Sequence, residues 1–160
     1  MARIVVGFIA CWMVLLAGCG FQLREDAQLP FASAYVDAPD ASVLAPGLRQ
    51  SLASQGKLAE RAEDAPVRIR VTDERREKNI LALSGGGKAR EYRLIYKVTL
   101  KVTDGQGREL VAPIELQQMR EFSYDDALIL AKEAEEANLR RAMEQEILRQ
   151  ALRRLSYVKR

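Results

Sequence analysis

The chain has 160 residues, two cysteines, no histidine and a formal net charge of +3. Its length fits a single domain. Without histidine, and with neither cysteine beyond residue 19, the body of the chain has no disulfide, no Cys-His or Ser-His-Asp catalytic set and no thiolate or imidazole metal site.

The first eighteen residues have the three-part layout of a secretory signal peptide. Arg3 supplies the positive charge, residues 4–16 form an apolar run, and small residues then lead to Cys19. The run of about thirteen residues is too short to cross the hydrocarbon core of a membrane, which is roughly 30 Å thick. We predict that residues 1–18 are cleaved.

The sequence Leu16-Ala17-Gly18-Cys19 resembles the bacterial lipobox. The resemblance implies cleavage before Cys19, with diacylglycerol on its thiol and an N-acyl chain on its amino group; two chains suffice for stable attachment. Gly20, where lipoproteins retained at the inner membrane have aspartate, implies anchoring in the inner leaflet of the outer membrane on the periplasmic side. Nucleic acid is not an expected partner there. The alternative is an ordinary signal peptide that leaves Cys19 unmodified.

Residues 19–30 read as a lipidated tether, and residues 31–160 as one domain. A first strand is predicted over 31–36. A helix is predicted over 43–55, because leucines recur every fourth residue, Ser42 can cap its start and Gly56 follows its end.

Period-two alternation then predicts strands. One begins at Val67, a shorter separate piece covers 78–83, the clearest strand covers 93–102, and another covers about 109–122. Pro113 in the last strand indicates an edge or a bulge, since proline has no ladder donor. The alternation is typical of an antiparallel sheet with one covered face.

From Asp125 or Asp126 to about Leu155 the apolar period becomes helical. Acidic residues come early and basic ones late, which suits the helix dipole. The predicted fold class is α+β: a small four-stranded, mostly antiparallel sheet with two helices packed on one face, in the order β-α-β-β-β-α. The stripe that should face the core is Leu139, Met143, Ile147, Ala151 and Leu155.

Residues 68–101 contain ten basic and four acidic side chains. Such a segment suits the phosphates of anionic lipids or glycolipids. A solvated sheet face rich in lysine and arginine is the alternative, and charge alone favours it slightly.

The segment from Ser84 to Lys88 contains Gly85, Gly86 and Gly87 but lacks the spacing of a nucleotide-binding loop. We interpret it as a hairpin, or as a binding loop with Lys88 and Arg90 at its flank. The acidic pairs at 125–126 and 135–136 are typical of helix starts. We therefore predict no catalytic residues and no enzyme, leaving a hydrolase acting through Asp125 and Glu121 as a remote alternative.

Several stretches, in the right order, resemble the LptE family of lipopolysaccharide-assembly lipoproteins. They are residues 16–24 with Leu29-Pro30, residues 83–92, residues 120–125, and on the last helix residues 130–133, 135–136 and 153–155. The resemblance implies a two-helix, four-stranded domain that plugs the lumen of the barrel protein LptD and helps to deliver lipopolysaccharide to the cell surface.

The same resemblance implies where lipopolysaccharide would be contacted. Lys132 matches the lysine of the family's Ala-Lys motif, and Lys88 and Arg90 are the nearest cations to its binding loop. Gly85, Gly86 and Gly87 would form the loop that contacts the barrel. No metal or cofactor beyond the acyl chains is implied. A free periplasmic binding lipoprotein, or a transporter-accessory one without a barrel partner, is the alternative.

Overall fold

A computed structural model describes residues 28–158 of the chain, which form four strands and two α-helices with two short 3₁₀ turns. The signal peptide, Cys19 and most of the predicted tether lie outside the described residues. In chain order the elements are β1 (Ala34–Asp37), α1 (Leu44–Ser54), β2 (Val67–Leu83), β3 (Ala89–Asp104), β4 (Glu109–Ser123) and α2 (Ile129–Leu155).

The strands form one sheet in the order β1-β2-β3-β4. The short β1 runs parallel to β2, with Ala34 opposite Val67, and α1 makes the crossover between them. The other two pairings are antiparallel. Buried side chains of both helices meet the same face of the sheet. The predicted α+β class, element order and mostly antiparallel sheet are confirmed.

The strand β2 corrects one prediction, because residues 78–83 are not a separate piece but the continuation of a 17-residue strand. The pairing with β3 slips by one residue between Val71 and Asp73. Side chains alternate across a strand, so this bulge exchanges the two faces. Val71 points to the core before the bulge, whereas Glu74 and Arg76 take that side after it, opposite the buried Val98 and Tyr96.

The start of α1 has two sources of hydrogen-bond acceptors. The Ser42 hydroxyl accepts the Ala45 N–H at 3.1 Å, which confirms its predicted capping role. The N–H groups of Val43 and Leu44 instead donate to the carboxylate of Glu74, at 3.0 and 3.2 Å. The Glu74 side chain on β2 therefore accepts hydrogen bonds from N–H groups at the start of α1 that have no acceptor within the helix.

The core runs along the sheet from the start of β2 and the end of β3, an end that we call the base, as far as Leu94 and Phe122. Leu29, assigned to the tether from sequence, is 2% exposed and packs in this core. The predicted stripe of α2 is buried from Met143 onward, whereas Leu139 is partly buried. Each helix contributes four buried residues to the core. They are Leu44, Ala45, Leu48 and Leu52 from α1, and Met143, Ile147, Ala151 and Leu155 from α2.

Beyond this core β2 and β3 continue to the hairpin that joins them, whereas β4 ends at Ser123, opposite Glu91 of β3. We call residues 79–93, which contain this hairpin, the tip. At about 3.3 Å per residue, β2 alone spans roughly 55 Å from base to tip. Leu29 lies at the base, because its carbonyl accepts a hydrogen bond from Lys57, whose own carbonyl accepts the Ala34 N–H at the start of β1. Within residues 28–158, no helix combines the length and apolar character needed to span a bilayer.

Candidate functional site

The hairpin at the tip is closed by backbone hydrogen bonds. The Ser84 N–H donates to the Lys88 carbonyl at 2.7 Å, and the Gly87 N–H donates to the Ser84 carbonyl at 2.9 Å. Gly87 has a φ of +76°, which favours glycine. A β-carbon at Gly85 would meet no atom within 4 Å, so the apex of the loop is open to an approaching surface.

Lys88 and Arg90 line one shallow cavity of about 320 Å³, together with Ser84, Tyr124 and residues 125–127. The Lys88 ammonium lies 2.8 Å from an Asp126 carboxylate oxygen. That hydrogen bond, followed by the charge of Asp126, raises the pKa of Lys88. The Arg90 carbonyl accepts the Tyr124 N–H at 2.7 Å, which joins β3 to the turn before α2. The fold therefore brings two predicted cations together with the start of the last helix.

Lys132 has a different setting from the other two predicted cations. Its side chain is only 16% exposed, and its ammonium donates to Ser123 Oγ at 3.2 Å and to Glu135 at 2.9 Å. It does not line the cavity that Lys88 and Arg90 share. Lys132 thus connects the end of β4 to the first turns of α2.

A cluster of aromatic rings lies where the tip meets the end of β4. The sequence analysis did not identify this cluster. The Tyr92 ring stacks on Phe122 at 5.7 Å and meets Tyr124 edge-on at 5.3 Å. The Lys78 ammonium lies 4.2 Å from the centre of the Tyr92 ring. Tyr92 and Phe122 occupy paired positions on β3 and β4, so period-two alternation with the correct register would have placed them side by side.

Glu136 ties this cluster to α2. Its carboxylate accepts hydrogen bonds from Lys78 and from Arg140, both at 2.6 Å. Burial alone would raise the pKa of the Glu136 carboxyl group. The hydrogen bonds from Lys78 and Arg140, together with their positive charges, outweigh burial and lower this pKa. The first half of α2 is therefore held over the sheet by charged groups, since its buried apolar residues begin only at Met143.

Large exposed apolar side chains are concentrated near the same end of the molecule. Leu130 at the start of α2 is 83% exposed, and Leu83 beside the hairpin is 59% exposed. Exposed apolar groups and exposed cations therefore both occur at this end, a combination that suits amphiphilic ligands. Other such side chains in the described part of the chain are Ile80, Leu81, Leu128 and Ile129, with Met119 further along β4 and Tyr157 after the end of α2.

The basic segment at residues 68–101 does not form one positive surface. On the sheet face that the helices leave open, ion pairs neutralise part of its charge. Arg70 pairs with Asp37 and Arg93 with Glu121 across neighbouring strands, and Arg75 pairs with Asp73 within β2. This arrangement favours the solvated sheet face over a continuous anion-binding face.

The acidic residues considered for a hydrolase have structural roles. Asp125 accepts the Ala127 N–H at 2.9 Å and caps the 3₁₀ turn before α2, while Glu121 pairs with Arg93 on the open face. Residues 28–158 contain no group of three or more side chains arranged to hold a metal ion.

Comparison with known proteins gives consistent matches. A family model described as "LptE: Lipopolysaccharide-assembly" matches residues 30–155. The chain is 28% identical to the LPS-assembly lipoprotein LptE of Photorhabdus laumondii, over 96% of this chain and 85% of the relative. The corresponding protein of Pectobacterium atrosepticum is also 28% identical, over 89% and 79%. The solution structure of lipoprotein B from Nitrosomonas europaea is 34% identical, with a TM-score of 0.74 over 86% of this chain and 90% of that one.

Proposed function

This chain belongs to the LptE lipopolysaccharide-assembly family, and from that premise we propose that it is an outer-membrane lipoprotein that plugs the barrel protein LptD. Its family is non-enzymatic, and the chain is not an enzyme. In our proposal Cys19 carries the acyl chains that hold the protein at the inner leaflet of the outer membrane. The tip enters the barrel from the periplasmic side.

The observation that carries the proposal is the separation of base and tip. Residue 28 and the start of the core lie at the base, whereas β2 and β3 project beyond Leu94 and Phe122 to an open glycine hairpin. A narrow two-stranded projection suits insertion into a lumen, and Gly85, Gly86 and Gly87 allow the closest approach to its wall.

We further propose that the tip binds lipopolysaccharide phosphates through charge-assisted hydrogen bonds. Lys88 and Arg90 are exposed and line the same cavity, so they are the cations available for direct contact. Lys88 is paired with Asp126, but its side chain is 75% exposed. Lys132 is also paired and its side chain is only 16% exposed, so it would take part only by exchanging Glu135 for a phosphate. The nearby exposed leucines would meet the acyl portion.

The plug proposal is tested by a photo-crosslinking amino acid at Gly86 in the full-length lipoprotein, expressed in its own bacterium. A matched control carries the same group at Gln106, in the glycine-containing hairpin at the base. We expect Gly86 to label lumen-facing residues of a large β-barrel and Gln106 not to label them. Recovery of the lipoprotein alone, from gently solubilised membranes whose barrels remain intact, would support the free binding lipoprotein instead.

The anchor is tested separately by the intact mass of the mature protein. We expect cleavage before Cys19 and the added mass of a diacylglycerol and an N-acyl chain. An unmodified mature N-terminus would contradict the membrane attachment without bearing on the contacts of the tip.

A further inference from the structure

We propose that the groove between the outer edge of β4 and the last turns of α2 binds an extended acidic segment of a partner protein, which pairs with β4 as a fifth strand. This site is distinct from the tip and does not depend on the cations assigned there. Two adjoining cavities, of about 500 and about 430 Å³, form the groove and share Glu115, Arg154 and Tyr157.

The backbone of β4 offers the first requirement for such pairing. Within the described residues β4 pairs only with β3, so its other edge has free N–H and C=O groups. From Ile114 to Ser123 the register with β3 is unbroken, which keeps this edge regular. Between Pro113 and Arg120 the edge has a single charged residue, Glu115, and no proline. Edges that avoid pairing usually have more charge or proline than this.

The side chains of β4 do not block an added strand. Ile114 and Leu116 point into the core and are 7% and 6% exposed. A segment can therefore pair with the backbone without displacing them, as in other complexes formed by strand addition. The helix α2 lies beside the edge and contributes Gln150, Arg153 and Arg154 to the wall of the groove, and Tyr157, just after the helix, completes it.

The charge of this wall indicates the chemistry of the occupant. Arg153 and Arg154 are exposed, and neither forms an ion pair with a carboxylate among residues 28–158. By contrast Arg149, one turn earlier, is paired with Glu146 at 2.5 Å. Guanidinium groups bind carboxylates in a bidentate manner, so a strand with Asp or Glu facing α2 would satisfy both arginines. Tyr157, which is 74% exposed, would cover an apolar neighbour on the same strand.

A second copy of this chain fits the groove less well. Two β4 strands pairing about a two-fold axis would bring the arginines of both copies to one seam, where like charges repel. An acidic segment from a different protein has the complementary charge, and for this reason we assign the groove to such a partner.

The test uses a benzoylphenylalanine at position 157 in the full-length lipoprotein in its native membrane, with crosslinked peptides identified by mass spectrometry. This group resembles the tyrosine it replaces. We expect it to label one linear segment that contains Asp or Glu. The double variant Arg153→Glu/Arg154→Glu should lower the yield at least fivefold, and reversing the carboxylates of the labelled segment to arginine should restore it.

The control carries the same crosslinker at Leu130, which is 83% exposed at the opposite end of α2. Its labelling should not change in the double arginine variant, and denaturant unfolding of that variant should match the parent. Labelling of a second copy of this chain, labelling of lipid, a yield independent of the arginines, or absence of any crosslink at position 157 would each overturn the proposal.

Discussion

The hydroxyl of Tyr96 on β3 donates a hydrogen bond of 2.7 Å to the carboxylate of Glu74 on β2. The same oxygen accepts the N–H groups of Val43 and Leu44, and the other oxygen accepts the Ser42 hydroxyl at 2.6 Å. One carboxylate therefore joins two strands of the sheet to the first turn of α1. The docking of that helix depends on it.

Replacement of Glu74 with glutamine should lower the free energy of unfolding by about 2 kcal/mol, since hydrogen bonds to a charged group contribute roughly 1.5–3 kcal/mol each and the amide retains some of them. Equilibrium urea unfolding of the mature domain measures the change. Glu60→Gln is the control, because Glu60 is exposed and forms no ion pair within residues 28–158. Equal effects of the two substitutions would show that Glu74 does not stabilise the docking of α1.

The ionisation of Tyr96 gives a prediction in alkaline solution. Burial first, and then the neighbouring Glu74 carboxylate, raise the pKa of Tyr96 well above its usual value near 10. A pKa raised in the folded state contributes stability that is fully present below the unfolded pKa and is lost as the pH rises beyond it.

Tyr96→Phe should therefore be less stable than the parent at pH 7, by about 1–2 kcal/mol for the lost hydrogen bond. The difference between the two proteins should shrink between pH 9.5 and 11.5, because only the parent has this group to ionise. Denaturant unfolding at several pH values follows both proteins. A difference that stays constant across this range would mean that Tyr96 ionises as it does in the unfolded chain.

Much of the fold could be predicted from the sequence, because the apolar periods of β3 and α2 match their buried faces. The sequence could not indicate the bulge at Thr72. The one extra residue there moves the following side chains of β2 to the opposite faces of the sheet, so the apolar alternation stops and Glu74 and Arg76 resemble the end of a strand. The capping role of Glu74 was also missed, because it joins residues thirty positions apart.

The sequence predicted some neighbours in the candidate site and missed others, for a similar reason. Lys88 and Arg90 are close together in the chain, and a hairpin keeps them close in space. The hydrogen bond from Lys132 to Ser123 depends on how α2 packs against the end of β4, and the stacked rings of Tyr92 and Phe122 depend on the register of β3 with β4. Contacts between distant residues need that register, which local patterns do not contain.

The hydrogen bond between Lys78 and Glu136 should stabilise the packing of the first half of α2 against the sheet. Hydrogen bonds from Lys78 and Arg140 lower the pKa of Glu136 against the effect of burial. A lowered pKa contributes stability that is present above the unfolded value, near 4.3, and is lost as the pH falls through the folded one.

Lys78→Met should therefore speed amide hydrogen exchange in residues 129–142 several-fold at pH 7 while leaving residues 143–155, which contain the buried stripe, unchanged. The effect of the substitution should become smaller as the pH falls through the lowered pKa of Glu136, because the carboxyl group is then protonated in both proteins. Glu133→Gln, at an exposed position of the same helix, is the control. Uniform acceleration along the whole helix would indicate global destabilisation instead.

Lipopolysaccharide binding is tested best by comparing two exposed, ion-paired cations at opposite ends of the sheet. The side chain of Lys88 at the tip is 75% exposed and pairs with Asp126, and that of Arg108 at the base is 76% exposed and pairs with Asp104, both at 2.8 Å. Removal of either charge should thus have similarly small effects on stability, which exposed ion pairs affect little. Lys88→Gln should weaken binding of purified lipopolysaccharide by about tenfold or more, since a hydrogen bond between charged groups contributes roughly 1.5–3 kcal/mol, whereas Arg108→Gln should leave it unchanged. Equal weakening by both would mean that binding follows net charge and not the tip, and no weakening by either would remove Lys88 from the proposed contact.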